Sequence, residues 1–168
     1  ATGVRVDAPG GPATLSILVD DTERRAAEDA VRRSETMLSH LVATSPDVIS
    51  LTDLSTGRYV MVNQTFEAVT GFRAAEVVGR TSMELGVWAQ PEQRQTFVSR
   101  IEEEGSVKDM PVTFRSKAGH PLAMRISGAH FQMDRRAYLV INARDVSASE
   151  RARLEREATA LAKELQYK

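Results

Sequence analysis

The sequence contains no cysteine, and this absence removes several kinds of chemistry at once. Disulfide bonds, thiolate-bound metals and cofactors attached through cysteine are all excluded. No stretch approaches the roughly 20 apolar residues that a membrane-spanning helix needs. The N-terminal residues also lack the basic start and unbroken apolar run of a signal peptide. These absences together lead us to expect a cytoplasmic segment of a larger protein.

An excess of positive charge is also missing. The 22 Lys and Arg residues are balanced by 23 Asp and Glu residues, which gives a formal net charge of −1. Binding to nucleic acid phosphates needs a basic surface, so we expect no nucleic acid partner. What the chain does have is a hydrophobic fraction of 42%, enough for one core, and two segments dense in Arg and Glu, residues 22–35 and 144–157.

The N-terminal part combines a turn with a long helix. Residues 1–20 predict a hairpin, because the turn signal DAPGGP separates two short apolar runs. A helix is predicted over about 22–44, with Asp20 and Glu23 as a capping box at its start and Pro46 marking its end. One face of this helix follows a heptad spacing that is typical of coiled coils, and it is formed by these residues: Ala27, Val31, Ser34, Leu38 and Leu41.

From residue 46 onward the pattern changes to short strands and short helices. Two strands, DVISLTDL and RYVMVN, flank the turn STG. One short helix is capped by Asn63 and ended by Gly71, and a longer helix opens with Pro91. Three strands complete the block, over residues 107–116, 120–132 and 136–146. The predicted fold class is α+β, a five-stranded antiparallel sheet with short helices gathered on one face.

The C-terminal residues 148–168 predict a second long helix. Ser147 and Glu150 are predicted to form a capping box at its start. Its apolar residues repeat the spacing of the first helix: Leu154, Ala158, Leu161 and Leu165. Both apolar seams are thin, and such helices are usually stabilised by pairing with another helix. We therefore expect a parallel homodimer held by the two flanking helices, which we interpret as coiled-coil-type elements.

The block between these helices resembles the PAS sensor domain, over roughly residues 35–147. The resemblance rests on four stretches in this order: SPDVISLTDLSTGRYVMVNQTFEAVTGF, AAEVVGRTSMELGVWAQPEQR, VTFRSKAGHPLAMRISG and ARDVS. The last stretch contains Asp145-Val146-Ser147, which is similar to the family's terminal Asp-Ile-Thr element. The sequence departs from the family pattern there, where Val-Ser replaces Ile-Thr, and at Ala118, where the turn commonly has Asp.

The change from a strand to a charged helix occurs twice in the chain. Asp145 lies 125 residues after Asp20, about one PAS repeat with its linker, and at this offset DAPGGP falls opposite FQMDRR. We interpret residues 1–20 as the tail of a preceding PAS repeat, and an unrelated hairpin is the alternative. The predicted organisation is therefore a tail hairpin, a linker helix, a PAS domain and a signalling helix, over residues 1–20, 21–45, 46–147 and 148–168.

Strand parity predicts which side chains face the helices and any pocket between helices and sheet. Trp88, in the loop before the longer helix, is a candidate wall of that pocket. The other candidate lining residues are Met110, Val112, Phe114, Met124, Ile126, His130, Ile141 and Ala143. The opposite face of the sheet is mainly polar, but Val140 interrupts it. This interruption indicates that the outer face is partly covered by the predicted helix 22–44 or by a second subunit.

The apolar lining disfavours the cofactors that some PAS domains bind. The resemblance to light-sensing PAS domains implies Asn and Gln on these strands for a flavin, whereas Phe114, Met124 and Ala143 take those positions. Haem-binding PAS domains carry an axial histidine on the longer helix, and this chain has none there. We expect neither haem nor flavin. A small apolar ligand and a dry, packed core both stay open.

The resemblance implies a sensory module that relays a ligand- or partner-induced change through its C-terminal helix to an output domain. That output is usually a histidine kinase or a diguanylate cyclase. The residues placed at the signal junctions are Asp20, Asp145, Ser147 and Glu150. Two alternatives remain, a ligand-free dimerisation spacer and a small α+β enzyme with an apolar pocket. The enzyme would need an ionisable group such as His130, and the three histidines have no ligand spacing, so we predict no catalytic or metal site.

Overall fold

The computed structural model describes residues 2–8, 11–17 and 21–166 of the chain. Packing divides the chain into two units, Ala1–His40 and Leu41–Lys168. The first unit contains strands β1 (Thr2–Ala8) and β2 (Gly11–Ile17), which pair antiparallel as the turn signal predicted. Asp20 lies outside the described residues, so its cap and its role at a junction stay predictions.

Helix α1 spans Thr22–Thr44, and none of its residues is buried. Its start is stabilised from within, because Arg24 pairs with Asp21 at 2.5 Å and with Glu28 at 2.8 Å. The hydrogen bonds to the Arg24 guanidinium lower the pKa of Asp21 below its usual range. Pairs at these spacings support an exposed helix that has little packing of its own.

The second unit is a five-stranded antiparallel sheet with helices, so the predicted α+β fold is confirmed. The sheet order is β4-β3-β7-β6-β5, which places the last strand, β7, at its centre. The strands are β3 (Val48–Asp53), β4 (Tyr59–Val62), β5 (Ser106–Arg115), β6 (Pro121–Met133) and β7 (Arg136–Asp145). The helices are α2 (Gln64–Thr70), α3 (Ala74–Val77), α4 (Ser82–Leu85), α5 (Pro91–Glu104) and α6 (Ser147–Gln166).

The ends of the helices in the second unit follow local sequence rules. The Asn63 side chain accepts a hydrogen bond from the Phe66 amide at the start of α2, and Gly71 ends this helix with a φ of 79°. Pro91 is the first residue of α5, a position where its missing N–H costs nothing. Helix α4 was not among the elements predicted from the sequence, although Thr81 and Glu84 form a capping box at its start.

The register of the strands confirms the parity argument for most of the inner face. Val112 lies opposite Met124, and Ile126 lies opposite Ala143, all on the side covered by the helices. The core formed there contains these buried residues: Val48, Tyr59, Phe66, Val77, Val87, Trp88, Phe97, Ile101, Val107, Val112, Phe114, Met124, Ile126, Leu139 and Ala143. The core therefore lies between the sheet and the helices α2–α5.

At the start of β5 the side chains do not alternate between the inner and outer face as the sequence predicted. Val107 is buried although it has the opposite parity to the inward-facing Val112. The ladder explains this, because Val107 pairs with Gly128 and Met110 pairs with Ile126, so one extra residue is inserted in β5. Asp109 in this bulge has a φ of 53°. A β-bulge reverses the alternation of side chains, which a strict period of two cannot anticipate.

His130 also departs from its predicted place in the interior. Its position on β6 opposite Leu139 follows the inward parity, but its side chain is exposed. Helix α5 ends at Glu104, and the backbone amide of His130 donates to the carbonyl of Gly105 just beyond that end, at 3.4 Å. β6 thus extends past the helix that covers the inner face, and His130 lies at the uncovered end.

Candidate sensory core and signal junction

Three aromatic rings pack together among the residues predicted to line the pocket. The Trp88 ring lies edge-on to the Phe114 ring, with centroids 5.0 Å apart, and 6.1 Å from the Phe97 ring. Trp88 is held in place because its neighbours bond to β5: the Ala89 amide donates to the Thr113 carbonyl at 3.0 Å. The predicted wall residue Trp88 is therefore part of a packed cluster with the sheet.

Gly128 on β6 makes room for this packing. A Cβ atom at Gly128 would lie 2.7 Å from Cζ of Phe97 and 3.0 Å from the Val140 carbonyl oxygen. This short distance shows that the fully buried Phe97 ring lies directly on the backbone of β6. A glycine is needed at this position for the close approach of ring to strand. Gly128, which was not among the predicted lining residues, therefore shapes the interior.

The predicted lining residues divide into three groups in the structure. Trp88 and the strand residues Val112, Phe114, Met124, Ile126 and Ala143 are buried. Met110 and Ile141 are half-buried and pack against the same core. His130 is exposed, so the ionisable group that the enzyme interpretation required does not lie among the buried side chains. The interior that these residues form is apolar, and Phe114, Met124 and Ala143 bring no amide group to it.

A polar contact lies at the edge of this core, between β4 and the helices. Tyr59 is buried and hydrogen-bonds to Ser82, whose Oγ also accepts from Nε of Arg94 at 3.2 Å. Burial raises the pKa of the Tyr59 hydroxyl well above its usual range, and the Arg94 charge offsets only part of this rise. Tyr59 is therefore kept neutral and acts as a structural group.

Asn63 fixes the place where the chain passes from α1 into the sheet. Its side chain makes four hydrogen bonds: it accepts from the amides of Ile49 and Phe66 and donates to the carbonyls of Val42 and Asp47. All the hydrogen-bonding capacity of this buried amide is used. The sequence had indicated only the cap on α2. The contacts to the residues before β3 come from positions 16 and 21 residues away, which no local pattern shows.

The junction between β7 and α6 is tied to the neighbouring strand β6. The Val146 amide donates to the Ala123 carbonyl at 2.9 Å, and the Ala123 amide donates to Oγ of Ser147 at 2.9 Å. The carboxylate of Asp145 accepts from the Ser147 amide, also at 2.9 Å. The Ser147 hydroxyl thus takes the place of the next backbone acceptor in the β6–β7 ladder. We call the two hydrogen bonds that join Ala123 to Val146 and Ser147 the tie, and α6 begins directly at it.

This geometry corrects the capping box predicted for α6. Ser147 was expected to accept from the amide of Glu150, but that amide donates to the Val146 carbonyl, and the Ser147 hydroxyl is engaged by Ala123. Glu150 instead pairs with Arg153 at 2.9 Å on the exposed side of the helix. The physical reason is the proximity of β6, which offers Ser147 a part-buried amide that lies 24 residues away in sequence.

The outer face of the sheet carries a row of charges at the junction end. Arg144 on β7 donates two hydrogen bonds to Asp47, both at 3.1 Å, and thereby links the start of β3 to the strand that leads into α6. Its cross-strand neighbour Arg125 makes a similar pair with Asp109, at 2.9 and 2.6 Å. The hydrogen bonds from Arg125 lower the pKa of Asp109 below its usual range.

Farther from the junction the same outer face becomes apolar. The strand register places Met61, Leu51, Val140 and Ala129 in one row across four strands, and all four are half-buried. The rings of Phe131 and Tyr138 stack beside this row, with centroids 5.7 Å apart. Val140, which interrupted the polar pattern in the sequence, therefore belongs to an apolar row.

Two further searches cover the part of the chain that the structure describes. No group of three or more His, Cys, Asp or Glu residues there is arranged to hold a metal ion. None of the described helices combines the length and the hydropathy that a membrane crossing requires.

Solved structures of other proteins share this fold. The PAS domain of an HTR-like protein from Haloarcula marismortui is 24% identical, with a TM-score of 0.57 over 72% of this chain and 98% of that chain. A PAS domain from a two-component sensor histidine kinase is 10% identical, with a TM-score of 0.60 over 68% and 98%. An RNA-binding light-oxygen-voltage receptor is 20% identical, with a TM-score of 0.63 over 99% of this chain and 45% of that chain.

These identities show the fold alone, and no curated protein matches the sequence. The family is shown by a different finding. The PAS domain family model matches residues 46–148, which is most of the chain and includes the sheet, the packed interior and the Asp145–Ser147 junction. The chain therefore belongs to the PAS domain family, whose members are sensory and signalling modules.

Proposed function

We propose that this chain is a dimeric PAS module that passes a conformational change from its sheet through α6 to an output domain. The observation that carries this proposal is the double tie at Ala123, which bonds to Val146 and to Ser147 at the first turn of α6. A shift of β6 relative to β7 would act directly on the helix, because no flexible linker separates β7 from α6.

Dimerisation through the flanking helices is supported by their exposed apolar seams. Val31 and Leu38 on α1 are 57% and 60% exposed, and Leu154 and Leu161 on α6 are 56% and 59% exposed. Leucine side chains at heptad spacing are usually buried against a second helix. A second copy of the chain would supply matching helices before and after the PAS domain in sequence.

The identity of the output domain and the cellular location are proposed from the family. A histidine kinase fits best, since one solved structure with this fold is a PAS domain from a two-component sensor histidine kinase. A diguanylate cyclase is the alternative output. We also propose that residues 1–20 end a preceding PAS repeat and that the module works in the cytoplasm. Within this scheme the chain itself senses and relays, and it catalyses no reaction.

A second function, a dimerisation spacer without ligand, is favoured by one observation. The rings of Trp88, Phe97 and Phe114 pack against each other among the residues predicted to line the pocket. A small apolar ligand would have to displace part of this cluster, whereas haem and flavin would need still more room. Native mass spectrometry of the freshly purified chain separates these cases, because a retained ligand adds mass to the folded protein and a spacer carries none.

The relay is tested in the full-length protein by removing the tie at the junction. Ser147→Ala leaves the Ala123 amide without its acceptor, which should lower the free energy of unfolding by about 1 kcal/mol. Folding free energies are about 5–15 kcal/mol, so the domain should remain folded. A signalling equilibrium has a gap of only a few kcal/mol, so output activity should change several-fold. Asp145→Ala, which removes the acceptor for the Ser147 amide, should act in the same direction.

Ser149→Ala is the matched control, because Ser149 lies exposed in the same turn of α6. Thermal melting and output activity are measured side by side on the three variants. If Ser147→Ala and Asp145→Ala keep the parent's activity and its response to stimulus while Ser147→Ala lowers the melting temperature, the tie is only structural and the relay proposal is wrong.

A further inference from the structure

The apolar seam of α6 continues toward the junction into an arginine. The spacing of Leu154, Ala158, Leu161 and Leu165 is 4, 3 and 4 residues, and extending it backwards by 3 residues reaches Arg151. Arg151 thus occupies the first full core position of the seam, in line with the leucines on the helix surface. A charged residue at a core position lowers stability but can set register and oligomeric state.

Arg151 has no ion-pair partner among the residues that the structure describes. Two carboxylates of α6 are engaged by another arginine, because Arg153 pairs with Glu150 and with Glu157, each at 2.9 Å. Glu155, one turn beyond Arg151, forms no ion pair with it in the described part of the chain. Arg153 uses only one oxygen of Glu150, so the second oxygen of this carboxylate is still able to accept. α6 therefore presents, side by side, an exposed guanidinium at the seam and a carboxylate oxygen at its flank.

In a parallel pair of helices these two groups are complementary. Each core side chain inserts into a hole formed by four residues of the facing helix. When two copies pair in register, Arg151 of one copy inserts beside residue 151 of the other copy. The partner's Glu150 is one of the residues that line this hole. Because such a dimer has two-fold symmetry, the contact between Arg151 and the partner's Glu150 occurs twice.

Building on the proposed dimerisation, we infer that a second copy of this chain docks on α6 in parallel and in register, and that Arg151 selects this register by pairing with the partner's Glu150. A shift by one heptad would leave Leu154 of one helix and Leu165 of the other without apolar partners. An antiparallel pair that keeps the four apolar layers would place Leu154 against the partner's Leu165. Arg151 would then face position 168 of the partner, where the sequence has a lysine and not a carboxylate. In-register parallel pairing alone keeps the four apolar layers and gives each Arg151 a carboxylate.

Helix α1 carries a similar arrangement, but its arginine is already paired within the same chain. Aligning the two apolar seams, with Ala27 at the place of Leu154, requires an offset of 127 residues, which differs from the 125 residues that align Asp20 with Asp145. At this offset Glu23 and Arg24 correspond to Glu150 and Arg151. Arg24, however, already pairs with Asp21 and Glu28 in its own helix. The register is therefore set mainly by α6, where the arginine is unpaired, and less by α1.

Single cysteines test the register directly, because the natural chain has none. Leu154→Cys lies at the seam away from the middle of α6, so two copies bring their thiols together only in a parallel, in-register pair. Ala152→Cys lies on the other side of the helix and is the matched control. Under mild oxidation of the whole chain, Leu154→Cys should form a disulfide-linked dimer and Ala152→Cys should not. Equal cross-linking of the two variants would overturn the inference.

Charge exchange tests the role of Arg151. Arg151→Glu should raise the dissociation constant of the dimer about tenfold, since it replaces two ion pairs by two repulsions. The exchange Glu150→Arg with Arg151→Glu should restore most of the affinity. Arg156→Glu makes the same change of charge on the far side of α6, and should alter the constant less than about threefold. Circular dichroism verifies that each variant keeps its helix content.

The outcomes separate this inference from the function on which it rests. A parent chain that stays monomeric at the highest concentration in light scattering would overturn both the dimeric function and the register. A parent dimer in which Arg151→Glu and Arg156→Glu behave alike would overturn the role of Arg151 alone. A dimer that is weakened by Arg151→Glu, restored by the exchange and cross-linked through Leu154→Cys supports it.

Discussion

The inner face of the sheet and the seam of α6 carry similar apolar side chains in opposite surroundings. Met124 and Ile126 on β6 are 1% and 0% exposed, whereas Leu161 and Leu165 on α6 are 59% and 69% exposed. The strand residues are covered by helices of the same unit, and the helix residues have no such cover. Burying one leucine-sized side chain contributes about 1.5–3 kcal/mol. The leucines of α6 are exposed in the single chain, so this stabilisation would come only from pairing with another helix.

This difference separates the stability of the domain from its association. The interior is complete within residues 46–147, so changes there should act on folding. The seam of α6 is incomplete in a single chain, so changes there should act on pairing with another helix. The predictions that follow test this separation from the strongest expected effect to the weakest.

Phe97→Ala should be the most damaging single change. Phe97 is fully buried and lies on both Trp88 and the backbone of β6, so its removal leaves a cavity that the fixed strands cannot fill. The free energy of unfolding should fall by about 3–5 kcal/mol in urea titrations. Leu161→Ala should lower it by less than about 0.5 kcal/mol in dilute, monomeric protein, while weakening the dimer. Comparable losses for the two variants would remove the distinction between core and seam.

Gly128→Ala should come next, with a loss of about 1–3 kcal/mol from overpacking. The added methyl group would meet the Phe97 ring at 2.7 Å, and the Val140 carbonyl on the other side prevents an easy retreat. Phe97→Leu in the same chain should recover part of the loss, because the smaller side chain vacates the contact. A double variant whose loss equals the sum of the two single losses would show that the contact is not limiting.

The inner face was predictable from the sequence because alternation is a local property. Val112, Phe114, Met124 and Ile126 were all placed correctly by a period of two. Val107 was missed because the bulge at Asp109 depends on how β5 pairs with β6, and pairing is not written in either strand alone. The exposure of His130 likewise depends on where α5 ends relative to β6, which is a tertiary relation.

The junction shows the same limit in its side chains. Ser147 and Glu150 have the spacing of a capping box, and this local rule would hold for an isolated helix. In the folded domain the Ala123 amide competes for the Ser147 hydroxyl and takes it. Sequence patterns could therefore identify Asp145 and Ser147 as junction residues. They could not identify Ala123 or Asn63 as the groups that hold the two ends of the domain.

Tyr59 provides a smaller effect that is confined to alkaline pH. Burial raises its pKa, so its contribution to stability is fully present below the ordinary tyrosine value of about 10 and is lost as the pH rises above it. The melting temperature should therefore fall more steeply between pH 8 and pH 11 for the parent chain than for Tyr59→Phe. Tyr138→Phe, on the half-buried outer face, is the control and should keep the steep fall. A parent-like fall in Tyr59→Phe would assign the alkaline loss to other groups.

Arg125→Gln should have the weakest effect, because its ion pair lies at the surface, where water and salt screen charges. Arg125 lowers the pKa of Asp109, so this pair contributes above the ordinary aspartate value of about 3.9 and loses its contribution as the pH falls below it. The decrease in melting temperature between pH 6 and pH 3 should therefore be slightly smaller in Arg125→Gln than in the parent, and the difference should disappear in 1 M salt. Arg136→Gln, an exposed change at the far end of β7, should reproduce the parent. A large, salt-resistant difference would mean that the outer face contributes to folding as the interior does, and the separation between the two surfaces would have to be abandoned.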